Sequence, residues 1–329
     1  MVAMKEALFW KDLPDKNVQC VLCPHRCVIF PGKKGFCKAR ANHSGVLVSE
    51  SYGRVTSYAP DPIEKKPLYH FKPGSRVFSI GTYGCNLACD FCQNFEISQA
   101  ESPPSVTFSP EEVVEAMRRE DCSGIAYTYS EPLTWYEFVL DTSKINREDN
   151  IIVTNGYINE GPLEHLVPHI DAANVDVKGG SEFYRTLCHS PYKNVMETVR
   201  TLYDSGVHVE ATNLIIPGHN DGEDDLRRLC SELVEVSPDI PLHFSRFFPH
   251  YRLTGVSPTP INTLDKAASI AKDAGVNYVY LGNVWERDTS TTCPSCGTKL
   301  LDRTGFSVRG PAFDGTCPQC GAKLYGVWK

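Results

Sequence analysis

The 14 cysteines are the residues whose spacing best suits chemistry, and most of them fall into three tight groups. In chain order the groups are Cys20, Cys23, Cys27 and Cys37; Cys85, Cys89 and Cys92; and Cys293, Cys296, Cys317 and Cys320. The first residues contain no apolar stretch like that of a secretory signal peptide. Clustered cysteines in such a chain are typical of metal ligation, whereas a disulfide framework is typical of short secreted domains. We therefore expect three metal sites.

The middle group has the spacing C-x3-C-x2-C and directly follows the apolar run 77–80, which predicts a strand. Three thiolates on a loop after a strand suit three irons of a 4Fe–4S cluster. The next cysteine, Cys122, lies much further along the chain at the end of a predicted helix, so we expect the fourth iron to stay open. An open iron can bind a chelating substrate. Zinc held by three thiolates is the alternative.

The residues around this loop resemble a known family. The three-cysteine loop, with the aromatic Phe91 just before its last thiolate, resembles the signature of the radical S-adenosylmethionine (SAM) enzymes. Segments 61–71, 79–82 and 92–94 are similar to the pyruvate formate-lyase activating enzyme-like branch. More specifically, they resemble the radical SAM member of the AmmeMemoRadiSam system. The resemblance runs essentially from end to end and includes residues 325–328.

This resemblance implies an enzyme that reductively cleaves SAM at a 4Fe–4S cluster to a 5′-deoxyadenosyl radical, which abstracts hydrogen from a substrate. It also implies a low-potential electron donor and MEMO-like and AMMECR-like companion proteins. The substrate is either a small molecule or side chain, or the backbone glycine that a glycyl-radical-enzyme activating enzyme attacks. The extra cysteine groups, which a minimal activating enzyme does not need, favour the former. A zinc-only scaffold or interaction protein is the alternative from another class.

Strand-like and helix-like runs alternate between residues 76 and 284 and predict a parallel sheet covered by helices. A doubly wound sheet and a partial (β/α) barrel both fit this pattern. The resemblance favours the α/β partial barrel of TIM type, with its site at the carboxyl ends of the strands. One helix is expected behind a capping Ser109, and another is expected to run through residues 182–204. We predict a Cys-rich metal module (1–75), the barrel (76–284) and a zinc ribbon (285–329).

Polar residues at the ends of successive predicted strands are the candidates for cofactor binding. The resemblance implies that Phe91 packs against adenine and that Glu131 binds the amino group of SAM. It also implies that Lys178 binds the carboxylate of SAM and that Asp176 holds Lys178 in place. Glycines usually precede that glutamate in the family, whereas this chain has Tyr129-Ser130 there. The full set of candidates is Phe91, Glu131, Thr154, Asn155, Asp176, Lys178, Asn213 and His243.

The two outer cysteine groups predict further metal sites. The C-terminal cysteines form two C-P-x-C-G knuckles, which suit tetrahedral zinc in a closed structural site, with rubredoxin-type iron as the alternative. The N-terminal group has the spacing C-x2-C-x3-C-x9-C, with His25 as a spare ligand. It suits either zinc or an auxiliary 4Fe–4S cluster, and the softness of its ligands favours neither.

Composition limits the partners of the protein. The 329 residues carry a formal net charge of −7, with a sequence pI of about 5.8. This acidic balance argues against binding to nucleic acid or to an anionic membrane. No apolar run approaches the roughly 18 residues that a membrane-spanning helix needs. We therefore expect a cytoplasmic protein with no nucleic-acid and no membrane partner.

Overall fold

The computed structural model describes residues 4–285, 287–310 and 313–329, in which strands and helices alternate through the middle of the chain. The strands are β1 (Lys5–Glu6), β2 (Trp10–Asp12), β3 (Val18–Cys20), β4 (Val28–Ile29), β5 (Arg40–His43), β6 (Val46–Ser49), β7 (Arg54–Val55), β8 (Ser57–Pro62), β9 (Arg76–Gly81), β10 (Val106–Thr107), β11 (Gly124–Tyr127), β12 (Asp149–Thr154), β13 (Ala172–Asp176), β14 (His208–Ile215), β15 (Leu242–Arg246), β16 (Val279–Gly282), β17 (Thr291–Thr292), β18 (Lys299–Thr304) and β19 (Ser307–Arg309). The α-helices are α1 (Phe95–Ser98), α2 (Pro110–Arg119), α3 (Tyr136–Ile145), α4 (Glu160–Leu166), α5 (Ser181–Thr186), α6 (Val195–Asp204), α7 (Glu223–Val236) and α8 (Ile261–Asp273). Short 3-10 helices cover Pro14–Lys16, Ile63–Lys65, Pro132–Trp135 and Val167–His169.

An eight-stranded sheet forms the centre of the molecule, with the strand order β16-β15-β14-β13-β12-β11-β9-β8. Its strands pair in parallel from β9 to β16, and β8 pairs antiparallel with β9 at one edge. Parallel strands covered on both faces are expected to be continuously apolar, and every residue of β11 is buried. Because the carboxyl ends of parallel strands meet at one edge, the sheet gathers the loops that follow its strands.

The longer helices pack on this sheet or on one another through one apolar face. In α7 the buried residues lie at the three- and four-residue spacing of such a face: Leu226, Leu229, Cys230 and Leu233. The cap predicted at Ser109 is confirmed, because Ser109 and Glu112 exchange side-chain to backbone hydrogen bonds in a capping box. No helix among the described residues is long and apolar enough to cross a membrane.

The single helix expected over residues 182–204 is wrong, because α5 and α6 are separate helices with a non-helical segment between them. Pro191 in that segment explains the break, since proline lacks an N–H donor and disfavours the helical conformation of the residue before it. The chain resumes as a helix behind Asn194, whose side chain caps the first turn of α6. The break leaves Cys188 in the connecting segment.

Small antiparallel sheets lie on either side of the central sheet in the chain. Strands β1-β6-β5 and β2-β3-β4 form two of them before it, and β17-β18-β19 form another after it. The N-terminal strands are tied to the helical layer by a buried ion pair between Arg40 on β5 and Glu137 on α3. A buried pair of this kind fixes the relative position of two elements, because neither charge tolerates the loss of its partner.

A fully buried carboxylate, Glu210 on β14, lies inside the fold among histidines. The backbone N–H of His70 donates to one carboxylate oxygen at 2.7 Å, and His243 Nε2 lies 2.6 Å from the other. His208 Nε2 lies 3.1 Å from the first oxygen. Burial alone would raise the pKa of Glu210, but the hydrogen bonds with His208 and His243 hold it well below its usual range. The carboxylate is therefore ionised and fully compensated.

His70 connects this network to the end of the chain. Its Nε2 lies 2.7 Å from the Tyr280 hydroxyl, and its Nδ1 lies 2.8 Å from the backbone carbonyl oxygen of Tyr325. The side chain is fully buried, and burial lowers the pKa of His70 to about 3. The imidazole is therefore neutral in the folded protein near pH 7.

This buried imidazole makes the stability of the fold dependent on pH. Because the pKa of His70 is lower in the folded chain than the ordinary 6.5, the unfolded chain binds the extra proton as the pH falls. We expect this group to lower the free energy of unfolding by about 1 kcal/mol between pH 6.5 and pH 5.5. Urea denaturation at a series of pH values measures the loss.

The His70→Gln variant should lose less stability than the wild type over the same pH range. The exposed His165 on α4 offers a matched control, because His165→Gln should keep the dependence of the wild type. Parallel losses in the wild type and in His70→Gln would contradict the assignment to His70.

Candidate active site and metal centres

A cavity of about 490 Å³ lies at the edge of the sheet where the parallel strands end. Its walls come from the loop after β9 and from the ends of β11 to β15. The predicted residues that line it are Cys85, Cys89, Cys92, Phe91, Glu131, Thr154, Asn155, Asp176 and Lys178. The fold thus brings together three thiols, two carboxylates and an amine that are far apart in the sequence.

Hydrogen-bond donors surround the cysteine sulfurs of this cavity. The backbone N–H of Leu87 donates to Cys85 Sγ at 3.3 Å, and the Asn155 side-chain amide lies 3.6 Å from the same sulfur. Ser98 Oγ lies 3.2 Å from Cys92 Sγ. Donors of this kind stabilise thiolates, which are the form of cysteine that binds metal.

Cys188 is a residue of this site that the sequence did not reveal. It is fully buried, its thiol is a neighbour of the Cys89 thiol, and its carbonyl accepts from the backbone N–H of Ala88 at 3.0 Å. It stands alone in the sequence, with no partner at a metal-ligand spacing. Only the packing of the segment between α5 and α6 against the cysteine loop brings it there.

Two glycines let the cysteine loop pass close to neighbouring backbone. A Cβ atom at Gly81 would lie 2.3 Å from the carbonyl oxygen of Thr128. At Gly84, where φ is +86°, it would lie 2.4 Å from the carbonyl oxygen of Cys37. A side chain at either position would push these backbones apart. The loop is therefore packed against both the sheet and the N-terminal segment.

Glu131, which follows β11, fixes the start of the loop after β12. Its carboxylate accepts hydrogen bonds from Thr154 Oγ1 at 2.7 Å, from Asn155 N–H at 2.8 Å and from Leu133 N–H at 2.9 Å. Burial raises the pKa of Glu131 to about 7, although these hydrogen bonds oppose the shift. The side chain therefore presents a buried, well-oriented carboxyl group to the cavity.

Tyr129 has the backbone conformation that glycine most readily adopts, with φ of 69°. Its hydroxyl donates to Asp61 Oδ2 at 3.2 Å, and Lys66 Nζ lies 5.2 Å from the centre of its ring. Its carbonyl accepts from the side-chain amide of Asn94. These contacts hold Tyr129 in a left-handed backbone conformation, at a position where the family that the sequence resembles usually has glycine.

Lys178 supplies a cation beside the cysteine loop. Its Nζ donates to Asp176 Oδ2 at 2.9 Å and lies 5.9 Å from the centre of the Phe91 ring. Burial alone would lower the pKa of Lys178, but Asp176 and then Cys89 raise it well above the ordinary value. The ammonium group is therefore charged and available to an anionic group in the cavity.

Two predicted residues do not line this cavity. Asn213 donates from its side-chain amide to the carbonyl oxygens of Val177 and Lys178, at 2.7 and 3.4 Å. It therefore supports the backbone that carries Lys178. His243 is bound to Glu210 and lines a neighbouring cavity of about 620 Å³.

The C-terminal cysteines form a compact group. The sulfurs of Cys293 and Cys320 are 3.6 Å apart, as are those of Cys296 and Cys317, and all four lie within 4.8 Å of one another. Gly297 and its counterpart Gly321 both have φ of +75°, which closes the two knuckles in the same way. This group could hold one metal ion.

The N-terminal cysteines surround a much smaller space. A cavity of about 20 Å³ is lined by Cys20, Cys23, Cys27 and Cys37. His25 also lines it and lies between this group and the loop after β9, because His25 Nε2 is 2.8 Å from the backbone carbonyl oxygen of Asn86.

The C-terminal group is expected to hold one metal equivalent in the purified protein. Replacing the two exposed cysteines, Cys296→Ser and Cys320→Ser, should remove that equivalent and expose residues 289–329 to protease, since metal binding stabilises so short a segment. Elemental analysis by mass spectrometry measures the loss. The matched control is Cys122→Ala, at a cysteine outside the three groups. A double variant with the metal content of this control would disprove the site.

Comparisons with known proteins agree with this arrangement. The family model of the radical SAM superfamily matches residues 79–233. An uncharacterized protein of Methanocaldococcus jannaschii is 46% identical over 313 residues, which cover 93% of each chain. The pyruvate formate-lyase 1-activating enzyme of Escherichia coli is 24% identical over 229 residues, which cover 63% of this chain and 93% of that enzyme.

A solved structure shows the same fold. The radical SAM methyltransferase from Sphaerobacter thermophilus superposes with a TM-score of 0.50 and 15% identity, covering 64% of this chain and 67% of that one. Residues 79–233 thus form a radical SAM domain homologous to pyruvate formate-lyase activating enzyme, and the protein is an enzyme of the radical SAM kind.

Proposed function

We propose that Cys85, Cys89 and Cys92 bind a 4Fe–4S cluster and that SAM binds beside it in the 490 Å³ cavity. When bound, this pair supplies one-electron cleavage of SAM to a 5′-deoxyadenosyl radical that abstracts hydrogen from a substrate. The observation that carries the proposal is the meeting of three sulfurs with Glu131 and Lys178 in one cavity. Family membership implies the same cofactors.

The residues of the cavity fit these groups. The donors at Cys85 and Cys92 stabilise the negative charge of metal-binding thiolates. SAM carries an ammonium and a carboxylate, which the Glu131 carboxylate and the Lys178 ammonium complement in charge. We assign Phe91 to the adenine, and Thr154 with Asn155 to the polar ends of SAM, while Asp176 orients Lys178.

A second cavity of about 620 Å³ supports a small-molecule substrate. This cavity adjoins the first one, because the two cavities share lining residues. The shared residues are Lys65, Gln93, Thr212, Ser245 and Asn283. The C-terminal segment forms one wall through residues such as Arg303 and Phe306. We infer that this wall, which narrows the cavity on one side, favours a small molecule over a glycine-bearing loop of a partner enzyme.

One residue in the wall of the second cavity, Glu64, has a buried oxygen without a partner. Glu64 is 1% exposed, and one of its carboxylate oxygens, Oε2, has no hydrogen-bond partner among the described residues. Leaving such an oxygen unpaired in the interior is costly. Because this oxygen is itself fully buried, a molecule in the cavity cannot reach it, and Glu64 is placed here only as a residue of the cavity wall.

The remaining assignments follow from this proposal. We propose a partial barrel over residues 76–284, an N-terminal Cys-rich module (1–75) and a zinc ribbon (285–329). The 3.6 Å sulfur separations support a single tetrahedral ion, because bonds of about 2.3 Å hold four thiolates about 3.8 Å apart, and we propose zinc because the site is closed and structural. We propose a low-potential electron donor and MEMO-like and AMMECR-like companion proteins as partners. The zinc-only scaffold is set aside, since the chain has a radical SAM domain.

Anaerobic reconstitution with iron and sulfide, followed by reduction in the presence of SAM, tests the reaction. The wild type should form 5′-deoxyadenosine, measured by mass spectrometry. The variant Cys85→Ala/Cys89→Ala/Cys92→Ala should form none, because the thiolates that hold the cluster are gone. Cys122→Ala serves as a matched control with wild-type yield. Equal product from the triple variant would refute the assignment.

Lys178 should contribute to SAM binding through its charge. Hydrogen bonds to charged groups contribute about 1.5–3 kcal/mol, so Lys178→Met should raise the Kd for SAM roughly 10- to 100-fold. Equilibrium binding to the reconstituted enzyme measures the change. Lys144→Met, at an exposed lysine on α3, should leave the Kd unchanged. An unchanged Kd in Lys178→Met would remove Lys178 from the binding site.

A further inference from the structure

The three cysteine groups differ in how closely their sulfurs approach one another. Among the residues that the structure describes, the C-terminal group alone brings three or more metal-ligating atoms within 4.8 Å of one another. The N-terminal group does not meet that limit, nor does the group on the loop after β9. The sulfurs of the N-terminal group, and those of Cys85, Cys89 and Cys92, are therefore more widely spaced than the sulfurs of the C-terminal group.

This difference in spacing separates the two candidate metals. One zinc ion binds four thiolates at about 2.3 Å, which places their sulfurs about 3.8 Å apart. A cubane cluster binds each thiolate to a different iron, so its sulfurs lie further from one another. The N-terminal cysteines nevertheless line one common cavity and are not scattered over the surface.

The surroundings of this cavity suit a buried anionic group. Arg40 also lines it, is 1% exposed, and donates from Nη1 toward Cys20 Sγ at 3.9 Å. Its Nε has no hydrogen-bond partner among the described residues. Leu22 and Ile29 supply apolar walls. Although Arg40 Nη2 is paired with Glu137, Nη1 and the free Nε remain as donors that can hydrogen-bond to thiolates or to a cluster that they hold.

We propose that Cys20, Cys23, Cys27 and Cys37 hold a second 4Fe–4S cluster and not zinc. All four irons then have a protein ligand, so this cluster has no open position for a substrate. The site adjoins the cysteine loop through two contacts, the close approach of the Cys37 and Gly84 backbones and the contact of His25 Nε2 with the carbonyl oxygen of Asn86. A cluster here is redox-active, which a zinc ion is not.

Metal analysis of three proteins tests this assignment. The wild type, the Cys85→Ala/Cys89→Ala/Cys92→Ala variant and the control Cys122→Ala are purified and reconstituted under anaerobic conditions. Iron and zinc are counted by elemental mass spectrometry, and cubane iron is identified by Mössbauer spectroscopy. The triple variant should retain about four irons per chain and show a cluster signal by electron paramagnetic resonance after reduction. The wild type and control should hold about twice as much iron.

A triple variant without cubane iron but with about two zinc ions would overturn the proposal. A Cys23→Ser/Cys27→Ser variant adds an independent check, because it should lose about half of the iron and keep its zinc. If that variant instead loses one zinc and keeps all of its iron, the second cluster is disproved. These counts do not depend on SAM cleavage, so failure of the proposed reaction would leave them unchanged.

Discussion

The parallel hydrogen-bonded pairing of the strands from β9 to β16 is the constraint on which the site depends. In this register Asp176 lies beside Thr212, Thr212 beside His243, and His243 beside Tyr280. Asp176, Thr212 and His243 line the two cavities, because the pairing sets them side by side on one face of the sheet. A slip of one residue in any strand would turn its contribution to the opposite face of the sheet.

The same strand register places polar side chains in the interior beneath the cavities. Alternation places Glu210 on the same face as Thr212, one layer further from the strand ends. A lone carboxylate there would be strongly destabilising, and the contacts with His70, His208 and His243 compensate it. Because His70 and His243 come from distant parts of the chain, the same network that permits a polar interior also joins β14 to its neighbours.

The sequence predicts those features that depend on local spacing. The cysteine loop, the capping Ser109 and the strand-end residues are recognised from residues a few positions apart, and the fold places most of them as expected. Cys188 and Glu64 could not be found in this way, because only the fold brings Cys188 against the cysteine loop and Glu64 to the wall of a cavity. The break before α6 was missed although Pro191 signals it, because the flanking residues form helices on both sides.

The C-terminal segment links metal binding to the cavity it covers. It is too short to bury a core of its own, and its apolar residues instead form a cluster with Tyr69, Tyr278 and Tyr280 of the main fold. Arg303 crosses this boundary, since its guanidinium donates to the carbonyl oxygen of Tyr69 and lies 4.5 Å from the centre of that ring. A metal at the paired knuckles would stabilise the segment in this position. Loss of such a metal would therefore be expected to loosen the wall of the larger cavity as well as the segment itself.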